Sequence, residues 1–243
     1  MSETPLIELT DIHYEPPGQK EALFAGLDFK LMEGQNVGLI GANGVGKTTL
    51  LHLIMGLIKP CSGMIRVFGR EVKKEKDFRE VRRQVGFLFQ QADDQLFSPT
   101  VIEDVAFGPL NLGNPPEKAL AIARQTLADL NLAGFEDRVT YKLSGGEKKL
   151  VSLATVLAMQ PRVLLLDEPT TGLDEVTRER IAEILINLRI SYIIVSHEYD
   201  FLSRTTSEIF GLENGMIVSN GESTTLHQHF HRHTLGGLPH QHT

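Results

Sequence analysis

Gly41-Ala42-Asn43-Gly44-Val45-Gly46-Lys47-Thr48, with Thr49 behind it, reads G-x-x-x-x-G-K-[ST], the pattern of a phosphate-binding loop. Each position has a chemical reason. Backbone N–H groups can surround crowded phosphate oxygens only where side chains stay clear, which favours Gly44 and Gly46. A helix opening near Lys47 aims its free N–H groups and positive dipole end at the same oxygens. Lys47 adds a full charge within reach of the β- and γ-phosphates, and the Thr48 hydroxyl is a ligand suited to Mg2+. The flanks agree. Residues 36–40 are a short apolar run with the look of a buried strand. Residues 47–57 carry Leu50, Leu51, Leu53, Ile54 and Leu57 at helical spacing. A strand, a glycine loop and a helix predict nucleotide binding; what the nucleotide is for, the loop does not say.

Working outward, 243 residues suit one large α/β domain or two small ones, and 41% hydrophobic residues can fill a sizeable core. The net charge of −7, from 31 acidic and 24 basic residues, argues against a nucleic-acid partner, whose binding surface is usually basic. Cys61 stands alone, so no internal disulfide forms, which fits a reducing compartment. Residues 1–5 lack the basic start and following apolar stretch of a secretory leader, and no apolar run has the length of a membrane span. Any link to a membrane is expected to come through a partner.

Ahead of the loop, residues 6–12 alternate and read as an edge strand, 13–18 as a turn, and 27–32 as a second strand. Tyr14 has two open readings, a ring for stacking on adenine or a partly buried turn tyrosine. After the loop, 64–68 read as a strand, 71–83 as a charged exposed helix, and 85–89 as an apolar strand ending on Gln90, either a ligand-facing amide or simple strand termination. Residues 92–99 form an acidic turn with exposed Leu96 and Phe97. Thr100 to Glu103 is a capping box, and Pro115-Pro116 opens a further helix, so 100–142 is mostly helical between two apolar strands. Ser144-Gly145-Gly146-Glu147 is a second capping box; two glycines and a hydroxyl at a helix start are either an anion site or a structural cap.

Residues 163–166 are a fully apolar strand ending on Asp167-Glu168. Two buried carboxylates are costly unless they have work. Beside a phosphate loop that work is Mg2+ for Asp167, through water, and water activation for Glu168. A helix follows at 175–188, a buried strand at 192–195 ending on Ser196-His197, and a hairpin around Asn214-Gly215. His197 has two open readings, a contact to a γ-phosphate or plain structure.

Together these residues resemble the ATP-binding cassette (ABC) ATPases. Gly41, Ala42, Asn43, Gly44, Val45, Gly46, Lys47 and Thr48 resemble Walker A, Gln90 the Q-loop glutamine, and residues 163–168 Walker B with the adjacent glutamate. Leu143-Ser144-Gly145-Gly146-Glu147 is similar to the cassette signature, Gly172-Leu173-Asp174 to the D-loop, His197 to the switch histidine and Tyr14 to the A-loop aromatic. The likeness runs from about residue 6 to 221. It implies an α/β fold: a P-loop NTPase, ABC-type, with a RecA-like core, an N-terminal antiparallel β-subdomain and an inserted α-helical subdomain at about 100–142.

The resemblance also implies roles. Tyr14, residues 41–49 and Gln90 would bind ATP; Thr48, Gln90 and Asp167 would surround Mg2+; Glu168 and His197 would act in catalysis. Residues 143–147 would complete the site of a second copy in a homodimer or a heterodimer with a related ATPase, with Asp174 at the junction. Residues 89–97 and 100–109 look most like ATPases of energy-coupling-factor importers, in the cobalt and nickel branch. That implies a peripheral protein on the cytoplasmic face of the cell membrane, driving an integral membrane coupling protein and a substrate-capture protein. In that family a groove near the Q-loop grips the coupling protein, which here would involve Leu96, Phe97 and the helix from Thr100. Rival readings are an importer for a vitamin or another small molecule, and a soluble cassette ATPase acting on DNA or ribosomes. The latter usually carries a coiled-coil insertion or a second cassette. Glu198 departs from the aspartate common after the switch histidine.

Residues 222–243 form a histidine-rich tail. Six of the nine histidines fall in the last 17 residues, and His227, His229, His231 and His233 alternate, sharing one face of an extended chain. Imidazoles so placed suit Ni2+, Co2+, Zn2+ or Cu2+; a solvated tail of no consequence is the other reading.

Overall fold

The strand that ends on the glycine loop, β3 (Asn36–Ile40), lies deep inside a six-stranded sheet in the computed structural model, which describes residues 4–18 and 21–222. Its neighbours are β8 (Ser191–Val195) and β9 (Glu208–Glu213), both parallel to it; β7 (Val163–Asp167) and β6 (Val85–Leu88) continue the parallel order, and β10 (Met216–Glu222) closes the other edge antiparallel. Strands with both faces covered are apolar throughout, as 163–166 are, and their side chains divide by parity. Val163, Leu165, Ile193 and Val195 enter one core with helix α1 (Lys47–Met55). Leu164, Leu166, Tyr192 and Ile194 enter a second core with helices α3 (Val101–Asn111), α4 (Pro116–Asp129), α5 (Gly145–Leu157), α6 (Glu175–Asn187) and α7 (Tyr199–Thr205).

The first core is roofed by an antiparallel sheet of β1 (Ile7–Tyr14), β2 (Phe24–Leu31), β4 (Ser62–Val67) and β5 (Arg70–Glu71), in the order β2-β1-β4-β5. This corrects one expectation: β1 is an interior strand, bonded to β2 on one side and β4 on the other, with a register shift after Thr10. It also runs on through His13 and Tyr14 instead of turning there. The charged segment after Gly69 is not helical from Glu71, because Arg70–Glu71 folds back on Arg66–Val67 across Phe68-Gly69, both with positive φ. Helix α2 (Glu75–Arg82) starts only where Asp77 can accept from the backbone N–H of Lys74. The expected hairpin at Asn214-Gly215 is present, both residues having positive φ.

Residues 101–142 hold α3, α4 and a short 3-10 turn (Thr140–Lys142), packed against α5. The Glu103 carboxylate accepts from the Thr100 N–H (3.0 Å) and hydroxyl (2.7 Å) at the start of α3. Buried Asp104 accepts from the N–H groups of Phe97 (3.2 Å) and Ser98 (2.9 Å), tying the acidic turn to this unit. Among the described residues, no helix is long and apolar enough to cross a membrane.

Candidate nucleotide site

The C-terminal ends of β3, β7 and β8 deliver the chemistry, as expected for a parallel sheet whose loops open on that side. Beyond β3 the chain passes through Gly46 at φ 111°, where an added Cβ would lie 2.8 Å from the Phe24 ring. Phe24 thus presses the loop from behind. Gly44, at φ 79°, faces open space, so its backbone can approach a ligand. Lys47 opens α1 and is buried; its Nζ donates to the carbonyl oxygens of Gly41 (2.8 Å) and Ala42 (3.1 Å). Burial holds its pKa below the ordinary lysine value, against the pull of Glu168 and Asp167.

Thr48 Oγ1 donates to Asp167 Oδ2 at 2.8 Å. Asp167 Oδ1 is buried without a hydrogen-bond partner. Burial raises this carboxyl above the usual range, and the Glu168 charge adds to that; the Thr48 hydrogen bond, His52 and Lys47 oppose it. An orphaned carboxylate oxygen beside a hydroxyl is a hard-oxygen donor set, and it fits Mg2+.

Glu168 stands at φ 46°, a left-handed conformation that costs a non-glycine residue about 1–3 kcal/mol. Two contacts hold it there. Its N–H donates to the Val195 carbonyl (2.9 Å), and its Oε2 accepts from Thr171 Oγ1 (3.0 Å). His197 Nδ1 lies 3.0 Å from the same Oε2, while the His197 side chain is 60% exposed. Lys47, Thr48, Asp167, Glu168 and His197 thus meet in one place. A cavity of about 500 Å³ beside them is lined by Gly41, Ala42, Val45 and His197.

Other expected residues are placed differently. Tyr14 is 8% exposed and packs on Phe24, with ring centroids 6.4 Å apart and planes at 44°. Little of its ring is open, so a base stacking on it would have to displace part of that packing. Gln90 is exposed just past β6, and its carbonyl accepts from Lys149 Nζ (2.6 Å). The signature residues sit at the start of α5. Ser144 caps it and Glu147 returns the bond, accepting from the Ser144 N–H (2.8 Å) and pairing with Arg138 (2.8 Å). Leu143 is buried, and Gly145 has open space beside it. An added Cβ on Gly146 would lie 2.8 Å from Thr177 Oγ1. Asp174 caps α6 through the Thr177 N–H and hydroxyl, both at 2.9 Å. Among the described residues, no hydrogen bond or ion pair joins 143–147 to 41–49. The alternating histidines of the tail lie outside the described residues, and within them no group of three His, Cys, Asp or Glu side chains is set for a metal.

Sequence reading missed Lys149, which looks like a solvated helix lysine. It is 3% exposed; its Nζ donates to the carbonyls of both Phe89 (3.1 Å) and Gln90, and burial lowers its pKa to about 8. Gln95 adds a second tie, donating to Ser152 O and Thr155 Oγ1 (both 2.7 Å), and Lys148 pairs with Asp93 at 2.6 Å. The segment after β6 is therefore fastened to the signature helix. Beyond it lies an apolar groove of about 330 Å³ lined by Leu57, Phe97, Phe107 and Met159. Phe97 is 67% exposed and meets Phe107 edge-on, with centroids 4.7 Å apart.

This geometry has counterparts. The ABC transporter family profile matches residues 24–171. An energy-coupling factor transporter ATP-binding protein of Methanothermobacter thermautotrophicus is 42% identical over 220 residues, covering 89% of this chain and 70% of that protein. The structure of cbiO1 from Clostridium perfringens, part of the ABC transporter complex cbiONQ, superposes with a TM-score of 0.82 at 30% identity, covering 93% of this chain and 91% of that one. A dimeric bacterial ABC transporter cassette, MJ0796, superposes at 0.78 with 26% identity, covering 87% and 96%. With the glycine loop, the paired carboxylates and the capped signature helix all in place, the chain belongs to the ABC transporter family as an ATP-binding, ATP-hydrolysing subunit.

Proposed function

We propose that this chain is the ATPase of an energy-coupling-factor importer for cobalt or nickel, working as a head-to-tail dimer on the cytoplasmic face of the membrane. One observation carries the chemistry: Glu168 is held by Thr171 and His197 directly after Asp167, whose carboxylate meets Thr48. Lys47 and the loop amides would hold the phosphates. Thr48, Asp167 and Gln90 would hold Mg2+, which on binding neutralises charge on the phosphoryl oxygens. Glu168 orients and polarises the attacking water, and His197, whose ring is largely exposed, reaches the γ-phosphate.

Ser144 and Gly146 would serve the second copy's site, consistent with no hydrogen bond among the described residues joining them to residues 41–49. The dimeric solved relative supports that arrangement. The groove around Phe97 and Phe107 is the seat for a helix of the membrane coupling protein.

The cargo reading rests on the resemblance of residues 89–97 and 100–109 to cobalt and nickel importer ATPases and on the histidine-rich tail, which we take as a weak site for Ni2+ or Co2+ at His227, His229, His231 and His233. Co-expression with an integral membrane coupling protein and a substrate-capture protein, followed by uptake assays with Co2+, Ni2+ and a vitamin panel, tests it. Uptake of a vitamin but no metal overturns the cargo assignment. Equal Ni2+ affinity for the full chain and one ending at Gly221 removes the tail from it.

A further inference from the structure

The two residues after Ser196 have separate anchors. His197 Nδ1 meets Glu168 Oε2 at 3.0 Å. Glu198 Oε1 instead accepts from Thr170 Oγ1 at 3.2 Å, and its Oε2 lies 3.5 Å from Arg178 Nη1. Thr170 is fully buried. Arg178, in the first turn of α6, also donates from Nη2 to the Leu173 carbonyl (3.3 Å) and lies 3.5 Å from Glu175. Arg204, which lines one cleft with Arg178 and Glu198, is committed to Glu179. Two adjacent threonines therefore do parallel jobs: Thr171 holds Glu168, and Thr170 holds Glu198. Ser196 Oγ, accepting from the Glu198 N–H at 3.0 Å, stiffens the loop between them.

A largely exposed imidazole with one hydrogen bond is poorly fixed by that bond. A carboxylate gripped from two different elements fixes the backbone that carries it. We propose that Glu198 is a positioning residue: gripped by Thr170 and Arg178, it ties the 196–199 loop to the 168–173 turn and so sets His197 against Glu168. The proposal rests on the reading of Glu168 and His197 as the hydrolytic pair. It also gives a use to the residue that departs from the aspartate common in the family. The glutamate side chain spans the gap between two anchors on separate elements, and among the described residues neither anchor is hydrogen-bonded to the nucleotide loop.

The test compares wild type with Glu198→Ala, Glu198→Gln and Thr170→Val, with Glu168→Gln as the control for the underlying reading. Glu198→Ala should lower kcat for ATP by about 10- to 100-fold, the range for displacing a reacting group by an ångström. KM should stay within about twofold, because Lys47 and the loop amides keep their partners. Glu198→Gln and Thr170→Val each remove one anchor and should fall between. The His197 ring resonance, assigned by its loss in His197→Ala, should move in Glu198→Ala. Wild-type kcat in Glu198→Ala while Glu168→Gln is inactive overturns the positioning role and leaves the hydrolytic reading standing. Full turnover in Glu168→Gln overturns the reading beneath it. A kcat loss with an unmoved His197 resonance also overturns the proposal.

Discussion

The Thr48 hydroxyl lies 2.8 Å from Asp167 Oδ2, joining the first turn of α1 to the end of β7 across 119 residues. The other carboxylate oxygen is buried and unpartnered, and burial raises the group's pKa. With a folded pKa above the unfolded one, the stability Asp167 contributes in acid is lost as pH rises through the folded value. At neutral pH the charge is a liability that a cation held there, as proposed, would offset. Asp167→Asn should therefore raise the Tm of the nucleotide-free protein. Relief of about 1 kcal/mol is worth about 2–4 °C at this chain length. The same variant should lose most of the further rise that Mg-ATP gives wild type. Thermal unfolding with and without Mg-ATP measures both.

Glu168→Gln keeps the size and hydrogen-bonding reach of the side chain but removes the proposed base. Phosphate release should fall by about 100-fold or more, within the range for losing a general base. ATP binding should persist, and the dimer should accumulate on size exclusion with Mg-ATP. Hydrolysis at the wild-type rate would refute the role of Glu168.

Lys149 links the carbonyls of Phe89 and Gln90 to the signature helix, with a pKa lowered by burial to about 8. Between that value and the ordinary lysine range the unfolded chain binds more protons, so this group makes stability rise with pH across that window. Wild type should gain on the order of 1–3 kcal/mol relative to Lys149→Met between pH 7.5 and 10. Urea unfolding at the two pH values tests it; parallel pH profiles sink the assignment.

Gly146 backs onto Thr177 too closely for a methyl group, with 2.8 Å to Oγ1. Gly146→Ala should cost about 1–3 kcal/mol of overpacking. Thr177→Ala in the same chain should restore much of that stability. ATPase activity should stay low in the double variant if Gly146 also serves a second copy's site, as proposed. Recovery of both together would make Gly146 a packing residue only.

Phe97 projects from the groove that the coupling protein is proposed to occupy. Phe97→Ser should leave hydrolysis by the isolated chain within about twofold. It should weaken co-purification with the membrane subunits by about tenfold or more, the size of a modest interface anchor. Unchanged co-purification would place the partner elsewhere.

Some elements were legible because their cause is local. The loop at 41–48 announces itself through backbone needs that only glycine meets, and the starts of α3 and α5 through capping boxes four residues long. Helix α7 was not, since seven residues with Phe201 and Leu202 buried and Asp200 and Arg204 outside hold no full helical period of apolar residues. The alternation in β1 marks a strand, but whether its edges are open depends on β2 and β4, which the alternation does not contain.

The amino-acid sequence alone determined the nucleotide loop, the order of the motifs and the carboxylate pair at 167–168, because local backbone geometry and burial cost act within a few residues. Only the tertiary structure decided that Thr48 meets Asp167, that His197 and Thr171 share one oxygen of Glu168, that Lys149 is buried, and that Tyr14 lies behind the loop against Phe24. Those facts depend on strand order. Placing β3 beside β8, and β8 beside β7, brings loops distant in sequence within hydrogen-bond range. Nothing in the residues between them encodes that distance.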